Sequence, residues 1–150
     1  MTLTTQTHNE TVAVYPWSDP IFDSSGFPAR SDYVEQFWLG ILGPTATWLL
    51  RRCAGLVVDR PEGSVVDLNV LAHSLGLAYH HGRHNPFSRG FDRCIMFGLM
   101  RHMALAPSVF AVRTTVPPLS LRHLSRLPES LQTAHSDWQA ALQGAAVGRQ

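Results

Sequence analysis

The sequence predicts an α+β fold, mainly α with a small β-hairpin, and three observations carry that prediction. Apolar residues recur at helical spacing through several segments between residues 31 and 142. Helix starts and stops punctuate them: Asp67 and Asn85-Pro86 are N-terminal signals, while Gly43-Pro44 and Gly76 end a helical pattern. Finally, residues 101–105 and 109–114 read as two strands around the turn Ala106-Pro107-Ser108.

A chain of 150 residues with 45% hydrophobic and 15% charged residues is long enough for one domain with a real core plus some tail. The net charge of +1 does not point to a polyanionic partner, but its distribution is uneven. Residues 1–79 carry four arginines against eight acids, and residues 80–150 eight arginines against three, giving −4 and +5. The basic half opens inside the turn before the helix at Asn85, where a nucleic-acid surface needs it. All twelve cations are arginine, a bias better explained by genome composition than by binding chemistry. Cys53 and Cys94 fall on apolar helix faces without metal-ligand spacing, which fits buried free thiols in a reducing compartment. Residues 1–8 lack the pattern of a secretory signal. The uncharged run 36–50 falls short of a membrane span and is interrupted by Gly43-Pro44, so a cytoplasmic protein with no membrane partner is expected.

In chain order, residues 1–30 combine threonines with Pro16, Pro20, Gly26 and Pro28 and predict an irregular N-terminal arm. Tyr15, Trp17, Ile21, Phe22 and Phe27 give that arm apolar contacts with which to dock on the domain, on another protein or on a second copy of the chain. A domain follows over residues 31–116. Ser31 can cap a first helix carrying Tyr33, Val34, Phe37, Trp38 and Ile41, and Pro44 opens a second that runs to about Leu56. Ser64-Val65-Val66 is a very short strand ending at the cap Asp67. The next helix buries Leu68, Leu71, Ala72 and Leu75, and the one that starts at Asn85 buries Phe87, Phe91, Cys94, Ile95 and Gly98. Beyond the hairpin, residues 117–143 form a C-terminal helical extension introduced by Pro117-Pro118, and residues 144–150 a flexible tail.

Helix, short strand, helix, helix, hairpin is the element order of a winged helix-turn-helix. The stretch from Phe37 to Arg52, with Asn85-Pro86-Phe87 and Leu127-Pro128-Glu129-Ser130-Leu131, resembles small, largely uncharacterised winged-helix proteins of actinobacterial type. The resemblance spans residues 31–142 and implies the fold; it carries no site residues and no reaction.

The helix at Asn85 would then be the recognition helix, with Asn85, Ser88, Arg89 and Arg93 as readers of base edges in the major groove of duplex DNA. His81, Arg83 and His84 in the preceding turn, with Arg101, Arg113, Arg122 and Arg126, are candidates for phosphate contacts. The expected role is a transcriptional regulator or nucleoid-associated factor that binds duplex DNA as a homodimer. Two features weigh against it: the turn 77–84 is longer than in the compact motif and could block groove access, and the hairpin tip lacks a cation. The alternative is a protein-interaction module or dimerising scaffold held through the stripe Leu131, Trp138 and Leu142, or a homodimer formed by the C-terminal helices or the arm. The histidines at 80, 81 and 84 lack the partners of a zinc site, and neither an activated nucleophile nor a phosphate loop has diagnostic spacing. Neither an enzyme nor a cofactor is expected.

Overall fold

The computed structural model describes residues 10–80, 85–103 and 106–147. It is α+β. No helix among the described residues is long and apolar enough to cross a membrane.

Where the sequence suggests an irregular arm, the chain forms strand β1 (Thr11–Pro16), a short helix α1 (Pro20–Ser25) capped by Asp19, and the two-residue strand β2 (Phe27–Pro28). The reason lies in Thr11-Val12-Ala13-Val14-Tyr15, which alternates with Val12 and Val14 buried, as a strand with one covered face requires. Pro16, at the last position, removes a donor where the strand is already ending.

A buried helical run follows, π-helical over Val34–Trp38 and continuing as α2 (Leu39–Leu42). The looser i→i+5 turn lets Tyr33, Val34, Phe37, Trp38, Ile41 and Leu42 all face the core. Gly43, at φ +84, reverses the chain between α2 and α3 (Pro44–Asp59), a conformation that side-chain-bearing residues rarely adopt. Strand β3 (Ser64–Asp67) leads into α4 (Leu68–Ser74), whose first turn is capped by the Asp67 carboxylate accepting from the Asn69 and Val70 amides at 2.9 and 3.1 Å. Helix α5 (Pro86–Met96) follows, then β4 (Met100–Met103) and β5 (Ala106–Val112). The expected turn residues Ala106 to Ser108 belong to β5, and residues 104–105 lie outside the described residues.

The helix–strand–helix–helix–hairpin order is therefore present, but the sheet is not formed from these strands alone. Its order is β3-β1-β5-β4. Strand β1 lies between β3, which it meets antiparallel, and β5, which it meets parallel, with Val12 opposite Val66 and Val14 opposite Phe110. An N-terminal strand thus occupies the position between the first strand and the hairpin, and α3 packs on β1 and β5.

After the hairpin, β6 (Thr115–Val116) pairs with β2, with Phe27 opposite Val116. Helix α6 (Leu121–Leu124) is capped by Ser120, and α7 (Glu129–Val147) extends through Gly144 into the segment expected as tail. Helix α7 returns to the core. Trp138 meets Tyr33 and Phe37 with ring centroids 5.9 Å apart, and Tyr33 stacks on Phe27 at 3.8 Å.

Candidate nucleic-acid interface

Helix α5 sits where two packing constraints meet. Phe87 and Phe91 bury one flank, Phe91 stacking on Phe110 of β5 at 5.1 Å. Gly90 faces α3, where an added Cβ would come within 3.1 Å of the Thr45 methyl and 3.3 Å of Leu49. This close approach leaves Arg89, Asp92, Arg93 and Met96 on the solvent side.

The four residues expected to read bases divide sharply. Asn85 is 4% exposed and forms a reciprocal cap: its Oδ1 accepts from the Ser88 amide at 3.0 Å, while the Asn85 amide donates to Ser88 Oγ at 3.1 Å. Its Nδ2 also donates to the His80 carbonyl at 3.2 Å. Both polar side chains are engaged in building the helix start and are not presented as readers. Arg93 is held as well: Nε donates to the Leu42 carbonyl at 2.7 Å and Nη2 to that of Ile41 at 2.6 Å. These are last-turn carbonyls of α2, which lack helical partners and carry the negative end of the helix dipole. Arg89 alone of the four is exposed with no side-chain partner among the described residues.

Of the expected phosphate contacts, Arg113 is in the wrong place. It is 7% exposed, with Nε donating to the Gly98 carbonyl at 2.8 Å and Nη1 meeting Asp19 Oδ2 at 3.4 Å. Its guanidinium lies 3.8 Å from the Trp17 ring centroid and 4.2 Å from that of Phe22, so it fastens the N-terminal segment to the domain. Arg101 is exposed on edge strand β4, its guanidinium 4.5 Å from the Trp17 ring centroid. Arg83 and His84 lie outside the described residues.

A contact chain that sequence spacing does not reveal joins Arg93 to α6. The Arg93 guanidinium stands 5.5 Å from the Phe97 ring, Phe97 meets His123 edge-on at 5.4 Å, and Trp38 closes the group 6.0 Å from His123. His123 is flanked by Arg122 and Arg126, both exposed. Desolvation first, then the charges of Arg126 and Arg122, lower the His123 pKa below the ordinary histidine value. Two arginine pairs at i, i+4 spacing, 89/93 and 122/126, are thereby linked through one aromatic seam. Among the described residues none of the four is paired with a carboxylate; the ion pair present is Arg113–Asp19. Asp92 lies on the other flank of α5, lining a cleft with Ser88, Phe91 and Ser108.

The expected partner stripe is largely internal. Leu131 and Trp138 pack against this chain's core, and Leu142 is the exposed member at 47%. Both thiols are buried, which pushes Cys53 up to about 12 and Cys94 also well above an ordinary thiol. Among the described residues no group of histidines, cysteines and carboxylates has the geometry to hold a metal ion; His81 and His84 lie outside them.

Comparison with known proteins finds no matching family model, no characterised protein of significant similarity and no solved structure that matches.

Proposed function

We propose that the chain is a duplex DNA-binding protein of winged-helix type that grips phosphates along the strip Arg89, Arg93, Arg122 and Arg126. The observation that carries this reading is the link between the two arginine pairs: among the described residues none of the four forms an ion pair with a carboxylate, and Arg93 meets Phe97, which in turn meets His123, the residue that stands between Arg122 and Arg126 in sequence. Phosphate is the group that complements such a surface, because arginine donates in a planar fork and keeps its charge at every physiological pH. Arg93 contributes as a fixed charge, since two of its nitrogens are already engaged.

The same geometry alters the expected mode of reading. With Asn85 and Ser88 occupied by the helix cap, Arg89 is the remaining base-edge donor of the expected set, alongside whatever shape readout the strip supplies. Binding dominated by phosphate contacts is weakly sequence-selective and strongly salt-dependent, which favours a nucleoid-associated role over a regulator of single sites. The stripe version of the protein-interaction alternative is weakened because Leu131 and Trp138 are partly buried against this chain's own core.

Amide chemical-shift mapping during titration with a mixed-sequence duplex tests the assignment. Perturbations should concentrate at residues 89–97 and 120–126. Shifts confined to α7 or to β3, or none at low salt, would remove the proposal.

A further inference from the structure

On another flank of α3, Arg30, Arg51 and Arg52 line a cleft of about 240 Å³ together with Trp48, Gly55, Leu56 and Asp59. Three cations share it with one carboxylate, and among the described residues none of the three forms an ion pair. Like charges gathered in one cleft repel unless an anion joins them.

The positions are built rather than incidental. Arg51 is fixed by Nη1 donating to the Ser31 carbonyl at 3.0 Å, and its guanidinium lies 5.3 Å from the Trp48 ring centroid. Arg52 is held by Nη1 donating to Ser74 Oγ at 3.1 Å. Arg30 lies against the helix itself, because Gly55 has no side chain: a Cβ there would come 3.0 Å from Arg30 Nη1 and 3.5 Å from its Cζ. Trp48 remains 48% exposed beside these groups.

We propose that this cleft binds a nucleoside monophosphate, with the phosphate between Arg30 and Arg52 and the base against Trp48. A simple anion would use the arginines and leave the indole idle; a free base would do the reverse. A nucleotide uses both, through charge-assisted hydrogen bonds and ring stacking. At about 240 Å³ the cleft lies just below the ~300–1,000 Å³ of typical small-molecule sites, so it takes up part of a nucleotide and leaves the rest at the surface. The inference is independent of the DNA reading, whose strip lies on α5 and α6.

Isothermal titration of the full chain with AMP, adenosine and inorganic phosphate tests it. AMP should bind about tenfold or more tightly than either fragment, since each fragment forfeits a stacking contact or charged hydrogen bonds of that order. Arg30→Ala with Arg52→Ala should reduce AMP affinity to that of adenosine, and Trp48→Leu should reduce it to that of phosphate. Gly55→Ala, which keeps every charge and displaces only the end of Arg30, should also weaken AMP and serves if the double variant fails to fold. Arg89→Ala with Arg126→Ala should leave AMP binding unchanged. No binding of AMP, AMP no tighter than phosphate or adenosine, or equal AMP affinity in wild type and the Gly55 variant would overturn the proposal.

Discussion

Arg93 donates from Nη2 to the carbonyl oxygen of Ile41 at 2.6 Å, tying the last turn of α5 to the end of α2 across fifty-two residues of sequence. A second bond, from Nε to Leu42 at 2.7 Å, makes the attachment two-pronged. Arg93 therefore supports the fold as well as the surface charge. Arg93→Ala should destabilise the protein by about 1–2 kcal/mol, the lower range for hydrogen bonds to a charged group because the side chain is partly solvated. Arg89→Ala should change stability by less than about 0.5 kcal/mol. Urea unfolding of both variants measures the difference, and equal stabilities would show that the Arg93 bonds contribute nothing net.

Asn85 gives the second prediction. Asn85→Ala should cost about 1 kcal/mol through loss of the reciprocal cap with Ser88, and should leave the base preference of any bound duplex unaltered. A comparison of binding to duplex variants, made below the melting range of the variant, distinguishes this from base reading. Altered preference in a folded Asn85→Ala protein would restore Asn85 as a reader.

Both results bear on what sequence can reveal. The starts of α4 and α5 were legible because capping is local chemistry: Asp67 and Asn85 each act within three residues of themselves. The same local chemistry leaves Asn85 ambiguous, because a residue type that suits a cap also suits an adenine edge, and only its burial separates the two. Strand β1 was obscured by Pro16 and Pro20; its partners, Val66 and Val109 among their neighbours, are distant in sequence, and no local signal announces a central strand. The i, i+4 arginine pairs could be read directly, whereas their junction through Phe97 and His123 depends on tertiary packing. Arg113 reads as a surface cation because nothing in the sequence marks Trp17 and Phe22 as its cover.

The Tyr33–His135 bond supplies a pH prediction. Tyr33 Oη accepts from the Leu119 amide at 2.8 Å and lies 2.7 Å from His135 Nε2, which accepts the hydroxyl proton when the neutral ring carries its proton on Nδ1. His135 is 2% exposed, and burial lowers its pKa below the ordinary histidine value. The unfolded chain, titrating near about pH 6.5, then binds more protons than the folded one as the medium is acidified. This contribution is fully present above that pH and is lost as pH falls towards the lowered folded value; His123 acts in the same direction. Urea midpoints at neutral and mildly acidic pH should fall with acid, and fall less in His135→Gln. A midpoint that rises with acid, or a His135→Gln drop as large as wild type, would contradict this account.

Gly55 sits within α3, where glycine disfavours a helix by about 1 kcal/mol relative to alanine. The nearest atoms an added Cβ would meet belong to the movable end of Arg30. Gly55→Ala should therefore leave the melting temperature unchanged or raise it. A clear fall would show that the contact with Arg30 is a structural requirement of the fold.

The strip across α5 and α6 is tested most directly by the salt dependence of duplex binding, measured by fluorescence anisotropy for wild type and for Arg89→Ala with Arg122→Ala and Arg126→Ala. Each phosphate contact contributes a slope of about −0.9 in log affinity against log salt, so the triple variant should bind more weakly and with a slope shallower by about 2 to 3. Wild-type binding that is absent at low salt, or a variant whose slope equals that of the wild type, would contradict the assignment of this surface to DNA.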